Sequence, residues 1–505
     1  MIRFGQIFNM GWLLTVSLLL SVVVNGQSIR YSNFYDANDG GAALDQTVVL
    51  DDGSLLIAGK TSNSFGTEAA AFNLLVDEDG TILNYNVWEE EDKSIEPYAI
   101  VRAESGSIYE AGTLHDYSEP SLGTGDFFMA KLDVNADTLF TVVFERPDTS
   151  DFMLDIVQTK PNKLLLIGWT YNDTVAVSAS AQLLFITCDT MGNKLNEVVW
   201  GGSYSDYIHS GITINEQGEV LMTGFTRSFG GGSQGRSWVI KTDSVGNVLW
   251  HKEYLSEWGA NGSSGQRLGI LNDGNYLVVG GNLTFGGTTN GVDAGMLKID
   301  SNGNQIWARE YPIIEGQGLW DVKQLEDGNI VSCGVTTYTD DNSQAGWLVK
   351  TDSEGNMLWT RTFNPSNLVD FIRFMVVMDN GDIVMLGNGR APGETIQDGW
   401  VLRVDSEGCL VEGCSVGIDE ESNTETGLTV YPNPATTEFS LEFSGIKFNE
   451  AEVVIRNLIG KEVLRFRPNR SRQTIDVSTW ARGIYHCSVY GNQQLLQTEK
   501  VVLVK

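Results

Sequence analysis

Gly274-Asn275-Tyr276-Leu277-Val278-Val279-Gly280 reads as a tight polar turn, a short apolar strand and a closing glycine. The same phrase stands at Gly53-Ser54-Leu55-Leu56-Ile57-Ala58-Gly59 and at Gly218-Glu219-Val220-Leu221-Met222-Thr223-Gly224. Its closing glycine recurs as Gly59, Gly112, Gly168, Gly224, Gly280, Gly334 and Gly387, at spacings of 53, 56, 56, 56, 54 and 53 residues. A second phrase follows each glycine by 18–21 residues: an apolar strand ending in aspartate, then a turn. The aspartates are Asp77, Asp133, Asp189, Asp243, Asp300, Asp352 and Asp405. Seven residues beyond three of them stand Trp250, Trp307 and Trp359, with Phe140 in that place in the second unit. Five residues before five of them stand Phe72, Phe128, Trp238, Trp347 and Trp400.

Seven units, each with room for four short strands, predict an all-β chain built as a seven-bladed β-propeller. One four-stranded blade cannot bury both faces alone, whereas blades packed around an axis can. The repeated strands supply the core between blades, and the repeated aromatics fill the wider outer part of each wedge. Lys131, Lys241, Lys298, Lys350 and Arg403 stand two residues before aspartate, on the same strand face, where they pair locally or meet solvent. The last unit stops near Cys409, after its third strand, while a spare strand over residues 29–35 precedes the first unit. That strand is expected to complete the seventh blade and close the ring, since closure removes an open sheet edge. An open β-solenoid is the structural alternative.

Composition agrees and excludes several classes. The 505 residues include 56 glycines but 10 prolines, and 42% are hydrophobic, so the chain is neither disordered nor collagenous. Acidic residues outnumber basic ones 65 to 33, and the net charge of −32 argues against nucleic-acid phosphates as a partner. Four histidines and five cysteines exclude a disulfide scaffold and disfavour a Cys/His metal cluster.

The two ends differ from the middle. Arg3 followed by an apolar run over residues 12–24 reads as a secretory signal peptide over residues 1–26, with cleavage between Gly26 and Gln27. That run is too short to span a bilayer, and no second run of about 20 apolar residues follows, so the mature chain is expected to lack a transmembrane segment. Residues 428–505 carry 7 acidic and 10 basic residues, a net of +3, which leaves −35 for the rest. This change of sign marks a separate C-terminal domain after a polar linker at 417–427, with the propeller over 27–416. Alternating segments at 438–443 and 452–455, with a hairpin turn at 457–460, make that domain a small β-sandwich.

Four pieces of this domain stand in a telling order: Tyr431-Pro432-Asn433-Pro434, a strand and turn through Gly460, Gly483-Ile484-Tyr485, and the final Lys500-Val501-Val502-Leu503-Val504-Lys505. Together they resemble the type A sorting domain of the type IX secretion system of Bacteroidota. The resemblance implies a domain that engages the type IX machinery, carries the protein across the outer membrane and is usually removed afterwards. It places the mature protein in the extracellular space or at the outer-membrane surface. The D-x-x-G-x-x-x-W turns are similar to the tryptophan-docking repeats of quinoprotein-type propellers and to the Asp-box of sialidases. The first has one more residue between Asp and Gly and the second one fewer. Both motifs are structural in their own families, so the likeness implies a propeller and no catalysis.

A catalytic constellation is not visible. His115, His209, His251 and His486 are scattered, without H-E-x-x-H, and no G-x-S-x-G occurs. No catalytic residue, metal ligand or cofactor is therefore expected. Asp77-Glu78-Asp79-Gly80 and Asp300-Ser301-Asn302-Gly303-Asn304 resemble calcium loops but lack the downstream glutamate, and tight-turn geometry explains them. A structural calcium at one turn is the alternative. Cys188 and Cys333 align with core positions and read as buried, inert thiols, with Cys487 the odd thiol of the C-terminal domain. Cys409 and Cys414 flank a four-residue loop and suit a disulfide that ties down the chain before the linker. Glu89-Glu90-Glu91-Asp92 reads as a solvated acidic loop. The loops after each second strand, at 226–237 with Phe229 and Gly231, at 283–294 and at 336–345, are polar and glycine-rich, and are the expected place for a partner. The leading expectation is a secreted, non-catalytic propeller that binds a glycan or a surface protein. A polysaccharide hydrolase or lyase, which would need convergent acids in the channel, and a structural matrix component are the alternatives.

Overall fold

The computed structural model describes residues 30–503, except 37–40, 63–67, 118–123, 173–179, 230–234, 255–263, 282–293, 312–317, 338–342, 366–368, 391–395, 411–426, 432, 434, 445–450, 458–460, 469, 471 and 492–493. The described residues are all-β, with no helix. The chain divides between Val416 and Gly417 into two compact units.

The first unit holds seven four-stranded antiparallel sheets, an arrangement consistent with a β-propeller. In the first sheet the strands Ala42–Val49, Leu55–Ser62, Ala69–Val76 and Ile82–Trp88 lie side by side in chain order, and the next five sheets repeat this meander. The seventh differs. Phe371–Val377, Ile383–Gly389 and Asp398–Val404 supply three strands, and the fourth is Ser32–Tyr35 from the other end of the unit, paired antiparallel to Asp398–Val404.

The leading strands of the seven sheets are Ala42–Val49, Lys93–Arg102, Thr149–Lys160, Asp206–Thr213, Ser264–Ile270, Gly318–Gln324 and Phe371–Val377. Each packs against the next, and the first packs against the last. Buried clusters run between sheets: Leu44, Ile57 and Phe72 of the first share one with Val384, Leu386 and Val401 of the seventh.

Every leading strand carries a β-bulge at the same place. The pairing shifts between Leu44 and Gln46, Pro97 and Ala99, Met153 and Asp155, Ile208 and Ser210, Gly265 and Arg267, Leu319 and Asp321, and Ile372 and Phe374. The repeated closing glycines lie opposite the residue before each bulge. A Cβ at Gly59 would run into the Ala43 carbonyl oxygen, one at Gly168 into that of Phe152, and one at Gly334 into that of Gly318. The bulge bends the leading strand toward its neighbour, and glycine is the residue that admits the approach.

The large aromatics serve two packing roles. Trp238, Trp347 and Trp400 are fully buried within their sheets. Trp250, Trp307 and Trp359, on outer strands, lie against the turn glycine of the following sheet: Gly303, Gly355 and Gly408. Lys241, Lys298, Lys350 and Arg403, two before aspartate, are ion-paired, whereas Lys131 lies over the Tyr109 ring at 5.6 Å. Lys298 meets Asp273 at 2.7 Å, Lys241 meets Glu219 at 2.6 Å, and Arg403 meets Asp382 at 3.0 Å.

The second unit holds a three-stranded sheet, with Glu438–Ser444 between Gly427–Tyr431 and Arg472–Asp476, and a four-stranded sheet of Glu462–Phe466, Ala451–Asn457, Gly483–Gly491 and Gln494–Leu503. One cluster joins the two sheets, with Leu428, Phe439 and Leu441 against Val453, Tyr485, Cys487 and Val501.

Candidate functional site

The bulge places one residue of each leading strand outside the pairing: Asp45, Tyr98, Leu154, His209, Gln266, Trp320 and Arg373. These positions are equivalent in the repeat, fourteen residues before the closing glycine in six units and fifteen in the fourth. Their chemistry varies from unit to unit, as does that of the residues that follow them: Gln46, Ala99, Asp155, Ser210, Arg267, Asp321 and Phe374. The bulge residues include an acid, a base, an imidazole, an amide and two rings.

Several of them meet. Arg373 Nη1 lies 3.4 Å from Asp45 Oδ1, which joins the last leading strand to the first. The Arg373 guanidinium sits over Phe371 at 4.9 Å and Trp320 at 5.7 Å. Tyr98 donates its hydroxyl to Glu96 Oε2 at 2.7 Å, and Lys60, just past a closing glycine, reaches Glu96 Oε2 at 3.2 Å and lies over the Tyr98 ring.

Electrostatics follow from burial and from these partners. Burial pushes the Asp45 carboxyl up, opposed by the charges of Lys60 and Arg373. Burial also pushes Glu96 up, but Lys60 and the Tyr98 hydroxyl outweigh it and hold the carboxylate below its usual range. Burial opposes the Lys60 charge, while Asp45, Tyr98 and Glu96 hold it above its usual value. Tyr98 is pushed up to about 12 by burial, and His209 is pushed down to about 4, a neutral imidazole at physiological pH.

Three of the seven residues that follow a bulge have a structural task. Gln46 Oε1 accepts the N–H of Ile100 at 3.3 Å, Asp155 Oδ2 that of Gly211 at 2.9 Å, and Asp321 Oδ2 that of Met375 at 2.9 Å. In each case the donor lies two residues beyond the bulge of the next leading strand. These side chains satisfy backbone groups that the sheet itself leaves unpaired. Asp321 also meets Lys323 at 3.1 Å and Arg267 at 3.6 Å. Asp155 and Asp321 are thus engaged with backbone N–H groups, and Asp321 with cations as well.

An aromatic group lies at the same end of the sheets, where the leading strands begin. Phe152 and Trp169, directly paired across strands, stack at 4.1 Å. Tyr171 stands edge-on to Trp169 at 4.9 Å and Tyr207 at 5.5 Å, and the two tyrosine hydroxyls are 3.5 Å apart. His115 extends the group to Tyr117, which is 44% exposed. Beside it Arg146 Nη1 reaches both Asp151 carboxylate oxygens, at 2.8 and 3.0 Å, and Thr170 Oγ1. Sequence reasoning missed Asp45, Tyr98, Trp169, Trp320 and Arg373. The signal that finds the bulge residues is alignment of the units on the closing glycine.

The seven expected turn aspartates all build one turn. The Oδ1 of Asp77, Asp133, Asp189, Asp243, Asp300, Asp352 and Asp405 accepts backbone N–H groups two and four residues on, at 2.7–3.0 Å. At Asp189, Asp243, Asp300 and Asp352 an asparagine side chain donates to Oδ2 as well, each at 2.8 Å. Both candidate calcium loops are this turn. Their aspartate oxygens face N–H donors, which a cation would displace. Among the described residues no group of three His, Cys, Asp or Glu could hold a metal ion.

Other expected positions divide. Cys409 is disulfide-bonded, and Cys188, Cys333 and Cys487 are free and buried, with burial pushing the Cys188 and Cys487 thiols up to about 12. Asn433 bridges to the last strand: its Nδ2 donates to the Lys500 carbonyl at 2.7 Å and its Oδ1 accepts from Val502 N–H at 2.8 Å. Two pieces of the C-terminal pattern thereby meet. Tyr485 donates to the Ala481 carbonyl at 2.8 Å and Gly483 has a φ of 146°. Phe229 does not project as a loop contact; it stacks on Trp200 at 5.1 Å. Gly26, Gln27, Cys414, Pro432, Pro434 and Gly460 lie outside the described residues, as do the centres of the three polar loops, including Gly231. No helix among the described residues is long and apolar enough to cross a membrane.

Residues 429–505 match the family model of the secretion system C-terminal sorting domain. The chain therefore carries a type IX sorting domain, which engages that machinery and directs export out of the cell, to surface attachment or release. No curated protein matches the chain. Similar solved structures include a fungal alcohol oxidase in complex with copper, 12% identical with a TM-score of 0.44, covering 94% of this chain and 98% of its own. The β-propeller domain of the Trilobed protease from Pyrococcus furiosus is 10% identical with a TM-score of 0.41, covering 75% and 98%. A protein of unknown function from Dyadobacter fermentans is 11% identical with a TM-score of 0.44, covering 77% and 98%. At such values the likeness says nothing of activity.

Proposed function

We propose that the mature protein is a secreted, non-catalytic seven-bladed propeller that binds a glycan or a surface protein at the end where its leading strands begin. The ring is read as closed by the strand Ser32–Tyr35, and the C-terminal unit as a β-sandwich. Residues 1–26 are read as a signal peptide, the host as a member of the Bacteroidota, and the Cys409 disulfide as its bond to Cys414.

The observation that carries the binding role is the partly exposed aromatic group of Phe152, Trp169, Tyr171 and Tyr207 where the leading strands begin. Loops and irregular positions held by a rigid scaffold are where recognition concentrates. The reading is non-catalytic because Asp155 and Asp321 are engaged with backbone N–H groups and cations, which leaves them poorly placed for acid–base work.

The full chain, applied to glycan and peptide arrays with and without calcium, tests this reading. Binding that Trp169→Ala abolishes supports it. Release of a shortened product from an array glycan would replace it with a hydrolase or lyase. Silence on both arrays would move the protein to a structural role.

A further inference from the structure

We propose that this end of the propeller takes a neutral oligosaccharide, through a vicinal diol held by Asp45 and Arg373 and a sugar face stacked on the Phe152–Trp169 pair. The proposal rests on the binding reading above and names its ligand class.

Asp45 Oδ2 is buried and has no hydrogen-bond partner among the described residues, on a side chain only 7% exposed. Such an atom lacks a donor that a ligand could supply. Beside it the Arg373 side chain is 40% exposed, with its guanidinium held over Phe371 and Trp320 and 3.4 Å from the other Asp45 oxygen. The pair therefore presents an acceptor in need of a proton and a donor fork in need of an oxygen. A hydroxyl offers both roles, and two adjacent hydroxyls can answer both groups at once.

Charge selects against an acidic ligand. A carboxylate would satisfy Arg373 but face Asp45 and Glu96, and the Lys60 charge nearby is already drawn to Glu96. The chain's net charge of −32 adds long-range repulsion. On the third sheet, where the leading strands begin, the aromatic group offers the second contact of the proposal. Phe152, Trp169, Tyr171 and Tyr207 are each only partly buried, and their apolar faces are edged by tyrosine hydroxyls and by Thr170. Sugars match that surface, with C–H groups on one face and hydroxyls at the rim.

The test applies the full chain to an array of neutral and acidic oligosaccharides beside a peptide array. Trp169→Ala and Asp45→Asn are run in parallel, with the fold of each checked by circular dichroism. The expected result is binding to a neutral glycan class. Each substitution should weaken it about tenfold or more, the worth of one lost buried hydrogen bond or stacking face. Binding confined to acidic glycans overturns the proposal. So does binding confined to peptides: if Trp169→Ala abolishes it, the site stands and the ligand class falls. Neutral-glycan binding that both substitutions leave intact overturns the site itself, and silence on both arrays overturns both.

Discussion

Tyr35 donates its hydroxyl to the carbonyl of Gly80 at 2.6 Å. The same bond is made by Tyr254 to Gly303 and by Tyr311 to Gly355, both at 2.9 Å. Each tyrosine ends an outermost strand, and each glycine belongs to the aspartate turn of the following sheet. Tyr35 lies at the start of the unit, yet it performs for the seventh and first sheets what ordinary outer strands perform elsewhere. Tyr35→Phe should lower stability by about 1 kcal/mol, the usual worth of one buried hydrogen bond. Urea unfolding of the full chain checks this. A chain starting after residue 36 should lose far more, because it exposes the edge of Asp398–Val404.

Gly168→Ala should be severely destabilising, by about 3 kcal/mol or more, because its Cβ would enter the Phe152 carbonyl and strain the bulge. Gly274→Ala serves as the comparison. Among the described residues nothing lies within 4 Å of a Cβ there, and its cost is that of the positive φ of 78°, about 1 kcal/mol. The two midpoints in urea should differ accordingly.

Glu110 is fully buried and accepts from Asn73 Nδ2 at 3.1 Å, while Glu110 Oε1 and Asn73 Oδ1 have no partner among the described residues. Burial pushes its carboxyl from 4.5 up to about 7. The unfolded chain loses this proton above pH about 4.5, and the folded chain keeps it until pH about 7. Its contribution is therefore present in full below the lower value and lost as pH rises to the upper one, a change of about 3 kcal/mol at most. Glu110→Gln should flatten the stability profile across that window and leave the variant more stable than the parent above pH 7. Melting temperatures across pH 4–8 decide it.

Asp352→Ala should cost about 1–2 kcal/mol, since Oδ1 accepts from the N–H groups of Glu354 and Asn356 and Oδ2 from the Asn356 side chain. A chelator should leave the melting temperature of the parent unchanged, because these donors already satisfy the carboxylate. A calcium-dependent rise in melting temperature would refute this account of the turns.

Asn433→Ala removes both bonds between the start of the sorting domain and the last strand at Lys500–Val502. The protein should accumulate inside the cell rather than reach the medium or surface, with the larger unit still folded. Fractionation of the expressing cells measures this.

The repeat, the all-β class, the aspartate turns and the sorting domain were legible in the residues themselves. Each rests on a local rule: a turn needs its glycine and its side-chain acceptor within four residues, and a strand shows its alternation over six. Even the closing glycines announced themselves, although their cause, the carbonyl of a bulged strand, lies about sixteen residues earlier in the chain. The candidate site was not legible. Asp45 and Arg373 stand 328 residues apart, and no spacing rule links them. Nor does any local pattern announce that Trp169 stacks on Phe152, or that Asp155 is tied to a backbone N–H of the next sheet. The Trp169–Phe152 stack depends on the register of one hairpin, and the other encounters on how the sheets pack against one another, which long-range burial decides. The chain by itself therefore determined the repeated unit and its turns, and only the packing of the units decided which unlike residues would meet.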